Sequence, residues 1–310
     1  MQRNEQIHMF SARDDGLNHG RYSPDNDYTL YEGRCENLLD QIKGPQVQLF
    51  VTSPPYNIGK RYEKRRSFDE YLLDQERVIA QCVERLTESG SVCWQVGNHV
   101  DDGAIVPLDI ALYPLFVKHG LVLRNRIVWH FEHGLHCSRR LSGRHETILW
   151  FTRPGNEYTF DLDPIRVPQK YPGKRYYKGP KAGQFSANPL GKNPGDVWVI
   201  PNVKHNHVEK TSHPCQFPVE LVERLVLATT RPGDLVVDPY IGSGTTAVAA
   251  LLHGRRVAGA DTVREFVRIA HSRIAETLCG AVRTRPRGRA VYTPQGRLAE
   301  SPFRSGSYGN

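Results

Sequence analysis

The sequence predicts an α/β fold: a doubly wound, mainly parallel sheet interrupted by one basic, loop-rich insert. Three observations carry that reading. Short apolar runs alternate with amphipathic stretches over residues 47–151 and again over 217–277, the texture of repeated strand–helix–strand units. Two of those runs stop in abrupt turns, Ser53-Pro54-Pro55-Tyr56 and Asp238-Pro239-Tyr240-Ile241-Gly242-Ser243-Gly244. Between them, from Arg153 to about Ser212, helical periodicity vanishes and Pro, Gly, Lys, Tyr and Asn take over.

Bulk properties narrow the classes. A chain of 310 residues with 39% hydrophobic and 24% charged side chains can bury a sizeable core, which argues against wholesale disorder. The six cysteines, Cys35, Cys82, Cys93, Cys137, Cys215 and Cys279, are scattered without a CxxC pair, the usage of a reduced compartment. Met1 to Asp27 is polar and no stretch approaches a membrane span, so a soluble, cytoplasmic protein with no membrane partner is expected. The net charge of +8 suits a polyanionic partner.

The elements follow in order. Residues 1–27 read as a flexible arm, Tyr28 to Tyr31 as a short strand and Glu36 to Ile42 as a helical turn. Val47 to Ser53 is a buried strand that must stop at the two prolines, which donate no sheet hydrogen bond. A basic stretch, 57–66, leads into a helix from Phe68 to Leu86 with Leu72, Ile79, Cys82, Val83 and Leu86 largely on one face. Ser89-Gly90 should end it, before a strand over 91–96, a helix over 107–119 and strands over 124–130 and 147–151. After the insert come a helix over 218–229, a β-branched strand over 235–237, a helix over 247–253, a strand over 257–260 and a helix over 264–277. The divisions expected are 1–27, 28–152, 153–212, 213–278 and a basic, disordered tail over 279–310.

The insert holds most of the excess charge. Residues 164–212 carry nine Lys or Arg against two acids, with Tyr171, Tyr176, Tyr177, Phe185 and Trp198 interleaved. A solvated loop would explain the charge, but basic and aromatic residues together more often meet phosphates and bases. His205, His207, His213 and Cys215 match no standard zinc spacing, so no metal is expected.

The second turn reads as a nucleoside site. Its glycines let the backbone approach a ligand, and Asp261 closes the next strand where ribose hydroxyls would sit. GxGxxG is absent, and Asp238 would oppose a pyrophosphate while suiting an ammonium or hydroxyl. A nucleoside with an amino-acid part and no phosphate, S-adenosylmethionine, fits better than a dinucleotide.

Taken together, the motifs resemble those of the β-class DNA amino-methyltransferases. Ser53-Pro54-Pro55-Tyr56 is similar to the catalytic motif of that family, and Asp238 to Gly244 to its cofactor motif. His213-Pro214-Cys215-Gln216-Phe217-Pro218 resembles a third signature, and the order of the motifs is that of the β class. The resemblance spans roughly residues 28–277. It implies the seven-stranded methyltransferase type of sheet, S-adenosylmethionine as cofactor and double-stranded DNA as substrate. A flipped base would stack on Tyr56, with the Ser53 hydroxyl and Pro54 carbonyl accepting from its amine and Pro55 stiffening the turn. It implies Asp238, Tyr240, Gly242, Gly244, Thr245 and Asp261 around the cofactor, with His213, Gln216 and Pro218 beside its methionine part. The insert becomes the target-recognition region, with Lys170, Lys174, Arg175, Lys178, Lys181, Lys192 and Lys204 facing DNA. Arg139 and Arg140 would do so from the loop after the strand over 124–130. Ser53 in the first motif favours cytosine N4; the alternatives are adenine N6, an RNA or protein-glutamine methyltransferase, or a non-catalytic DNA-binding protein. A cognate restriction endonuclease and a monomeric or homodimeric state complete the expectations.

Overall fold

The computed structural model describes residues 20–57, 66–134, 136–291 and 295. Most of the expected N-terminal arm, most of the basic stretch after Tyr56 and the far part of the expected tail lie outside the described residues.

Short elements open the chain: strand β1 (Tyr28–Glu32), helix α1 (Cys35–Leu39) and strand β2 (Val47–Thr52). Helix α2 (Phe68–Arg85) leads to strand β3 (Leu86–Val96), a hairpin of β4 (Asn98–Asp101) and β5 (Ala104–Pro107), and helix α3 (Leu108–Lys118). Strands β6 (Val122–His130) and β7 (His145–Thr152) precede the insert, which contributes β8 (Val197–Val199). Helix α4 (Val219–Thr229), strand β9 (Leu235–Asp238), helix α5 (Thr245–Leu251), strand β10 (Arg256–Asp261) and helix α6 (Arg264–Leu278) follow.

One eight-stranded sheet runs in the order β1-β10-β9-β2-β3-β7-β6-β8. The five strands from β1 to β3 are parallel. β7 is antiparallel to both β3 and β6, and β8 joins β6 in parallel, one strand beyond the seven-stranded type. All six residues of β2 are buried, as a central strand covered on both faces requires. Leu49 and Val51 enter the core on one side, Val47 and Phe50 that on the other.

Side-chain hydrogen bonds hold one predicted boundary and move another. Ser67 and Glu70 form a reciprocal capping box that starts α2 where the periodicity begins. That helix stops at Arg85, before Ser89-Gly90, because the following residues already belong to the sheet. Gln48, at a register shift in β2, donates to the Ser89 carbonyl (2.9 Å) and accepts from the Thr87 (2.9 Å) and Ser89 (3.2 Å) hydroxyls. The β4–β5 hairpin was not foreseen; its turn, Asp102-Gly103, has positive φ at both residues, as a two-residue hairpin connection demands.

The insert is loop-rich but braced. Val167 and Lys192 exchange two backbone hydrogen bonds at its base, and Lys174–Ser186 and Tyr176–Gln184 pair above them. Trp198, expected among the contact aromatics, is instead a core residue: it is 4% exposed, and its indole donates to the Gly195 carbonyl at 2.8 Å. Past α6, through residue 291, the chain is held against the body. The Arg285 guanidinium pairs with buried Glu220 at 2.6 Å, and the Arg285 and Gly288 amides donate to Glu209 and Glu220. This differs from the expected free tail because two buried carboxylates need those donors.

Candidate active site

Parallel units run outward from β9 and β2 in opposite directions, β9 to β10 and β2 to β3, so the two strands flank a topological switch point. A cavity of about 460 Å³ lies along the sheet edge where the parallel strands end. The ends of β1, β10, β2, β3 and β6 and the antiparallel start of β7 all deliver residues to it, among them Gly33, Asp261, Ser53, Gln95, Phe131 and Glu146.

On the β2 side, Ser53, Pro54, Pro55 and Tyr56 all line the cavity. The Ser53 hydroxyl lies 3.2 Å from the Tyr56 hydroxyl, which donates to Gln95 Oε1 at 3.1 Å with Glu146 Oε2 3.4 Å away. Burial, and next the neighbouring Glu146, push the Tyr56 phenol well above its usual pKa, so it keeps its proton. Two further contacts fix the turn. His99 Nδ1 meets the Tyr56 carbonyl at 3.1 Å, and the Asn57 side chain, at φ +55°, exchanges two hydrogen bonds with the Arg66 backbone. Gly97 is needed beneath the ring, where a Cβ would stand 3.0 Å from a Tyr56 ring carbon.

On the β9–β10 side, Tyr240, Gly242, Thr245, Asp261, His213 and Gln216 share the same cavity. Asp261 accepts from the Gly242 (3.2 Å) and Val263 (2.8 Å) amides, and burial raises its pKa. Gly242 sits at φ +49°, where a Cβ would come 3.1 Å from His213 Nε2; His213 in turn packs edge-on against Phe266. Arg273, reaching in from α6, donates to the Ser243 carbonyl (2.9 Å) and the Thr245 hydroxyl (2.8 Å), bracing the glycine turn from behind.

Three residues predicted at the cofactor do not reach the cavity wall. Asp238 has no exposed surface. Its carboxylate accepts from Thr52 (2.5 Å), Thr246 (2.6 Å) and the Tyr240 amide (3.0 Å), so it ties β2, β9 and the start of α5 together. Burial pushes its pKa up to about 6. Gly244 (φ +75°) faces α6, where a Cβ would lie 2.8 Å from the Ala270 backbone. Pro218 is buried at the start of α4, and Phe217 lines the cavity in its place. Gln95, Phe131, Glu146 and Asn202 were missed. The available signal was a polar residue inside an apolar strand, Gln95, and an acid opening another, Glu146.

Of the basic residues, Lys204 lines the main cavity. Lys170, Lys174, Arg175 and Lys192 surround a second concavity with Tyr171, Tyr176 and Tyr177. Lys178, Lys181, Arg139 and Arg140 are exposed, and Arg140 also donates to the Gly103 carbonyl at 2.9 Å.

A family model described as DNA methylase, of the N6/N4 type, matches residues 47–272. The chain belongs to the N6/N4 DNA methylase family. The methylase is 54% identical over 243 residues to the Type II methyltransferase M.BglII of Bacillus subtilis, an alignment covering 78% of this chain and 67% of that one. The fold is that of the PvuII DNA methyltransferase, described as cytosine-N4-specific, at a TM-score of 0.64 and 19% identity over 85% of this chain and 94% of that one. A DNA modification methylase from Thermus thermophilus, solved in complex with S-adenosyl-L-methionine, matches at a TM-score of 0.58 and 25% identity, over 81% of this chain and 96% of that one.

Proposed function

We propose that this methylase transfers the methyl group of S-adenosylmethionine to N4 of a cytosine flipped out of double-stranded DNA. The observation that carries the reading is the single cavity shared by Ser53-Pro54-Pro55-Tyr56 and by Gly242, His213 and Asp261. Its volume, about 460 Å³, is in the range of small-molecule sites. Its β10 end suits an adenosine: Asp261 spends two lone pairs on backbone amides and keeps others for ribose hydroxyls. His213, Gln216 and Thr245 would flank the methionine part, and the bound cofactor supplies an electrophilic methyl on sulfur.

The chain's own residues do the rest. Tyr56 offers a neutral aromatic face for the base. The Ser53 hydroxyl and Pro54 carbonyl accept the two hydrogens of its amine, which turns the nitrogen lone pair out of ring conjugation and toward the methyl. Ser53 is the residue that favours cytosine. The insert over 153–212, between a catalytic half (28–152) and a cofactor half (213–278), would grip the duplex through its exposed lysines and arginines. This role belongs in the cytoplasm, beside a cognate restriction endonuclease. The test is nucleoside mass spectrometry of unmethylated genomic DNA after incubation with purified protein and labelled cofactor. N4-methylcytosine is the expected product; N6-methyladenine would overturn the choice of base, and no transfer to any DNA would overturn the activity.

A further inference from the structure

Gln95 is 4% exposed, lines the cavity beside Ser53 and Tyr56, and has a fixed amide orientation. Its Oε1 accepts the Tyr56 hydroxyl proton at 3.1 Å, and its Nε2 donates to Glu146 Oε2. The flipped amide would set Oε1 against an acceptor-only carboxylate, so Glu146 dictates which way round the amide stands. Nε2 carries a second hydrogen, which no protein group accepts among the described residues.

We propose that Gln95 donates this hydrogen to the ring nitrogen beside the target amine, and that Glu146 is the positioning residue that holds the amide for it. The inference rests on the reading above, in which Ser53 and Pro54 accept the amine's hydrogens. The chemistry of the base edge is then matched on both sides. Cytosine places an acceptor, N3, next to its N4 amine, as adenine places N1 next to N6. Thymine and guanine carry an N–H at the corresponding ring position and would meet the Gln95 donor with a donor. The site thereby selects an amine flanked by an acceptor, and a buried donor left unpaired by the wrong base gives the discrimination its strength.

A substrate-and-protein double substitution tests this. Duplexes carry, at the methylated position, either the natural base or its deaza analogue with C–H in place of the ring acceptor: 3-deazacytosine, or 1-deazaadenine if mass spectrometry finds N6-methyladenine. In the unaltered enzyme the deaza duplex should lose about ten- to a hundredfold in kcat/KM. In Gln95→Leu, and to a lesser degree in Glu146→Gln, that penalty should shrink to within about threefold. Cofactor affinity by calorimetry should stay unchanged in both variants, showing that the fold and the cofactor side are intact. An equal penalty in enzyme and variants, or none in the unaltered enzyme, would overturn the role of Gln95. Should one variant fail to fold, the other decides. Failure to methylate the natural duplex would instead strike the underlying activity, so the two readings fail separately.

Discussion

Asp238 shows how one side chain can look like a ligand contact and be a structural bolt. Its carboxylate is enclosed by two threonine hydroxyls and a backbone amide, yet burial outweighs those hydrogen bonds and leaves its pKa near 6. The folded protein binds this proton more tightly than the unfolded chain, so stability from this group is fully present below the unfolded pKa of 3.8 and is lost as pH rises through about 6. The shift corresponds to about 3 kcal/mol. Asp238→Asn, whose amide can still pair with hydroxyls, should remove that slope. The stability of the Asn variant relative to the unaltered protein, from denaturant-unfolding curves, should therefore rise between about pH 4 and 6, and a constant difference would refute it. The sequence placed Asp238 correctly at a strand end but could not show that Thr52, far away in the chain, would occupy its oxygen. Ser53 to Tyr56 were legible because two prolines act locally. Gln95 and Glu146 were not, because their meaning arises only when β3 and β7 lie side by side.

Between elements, one close contact behind the site is the crossing of the glycine turn on α6. Gly244 does two jobs there, adopting φ +75° and admitting the Ala270 backbone to a distance no Cβ could tolerate. Gly244→Ala should thus cost about 2–4 kcal/mol, from left-handed strain plus overpacking against backbone that cannot rotate away. Denaturant melts would measure it, with cofactor affinity falling alongside; a loss below about 0.5 kcal/mol would mean that α6 shifts freely. Helix and strand identities were readable because the apolar periodicity of α2 and α4 is local. The antiparallel pairing of β6 and β7 was not, since both directions give the same alternation. Likewise Trp198 carried no mark distinguishing it from its exposed aromatic neighbours until β8 joined the sheet edge beside β6.

Across the whole molecule, net charge overstates what can meet DNA. Arg85, Arg224, Arg255 and Arg273 are buried, and Arg285 is spent on Glu220; these cations hold the body together. The insert is different. Lys170, Lys174, Lys178 and Lys181 are exposed on the braced hairpin that rises from the Val167–Lys192 pair, and none of them has an acidic partner within salt-bridge distance among the described residues. A polyanion gripped there releases counterions in proportion to the phosphates neutralised, so the steepness of salt dependence counts the contacts. Replacing these four lysines by glutamine should reduce the slope of log Kd against log salt by about three to four if each meets one phosphate. Arg285→Gln should leave that slope unchanged while lowering stability, because its charge is committed inside. Fluorescence anisotropy on one duplex between about 50 and 200 mM salt separates the two. An unaltered slope in the four-lysine variant would move the DNA-binding face off the insert and onto the Arg139–Arg140 loop.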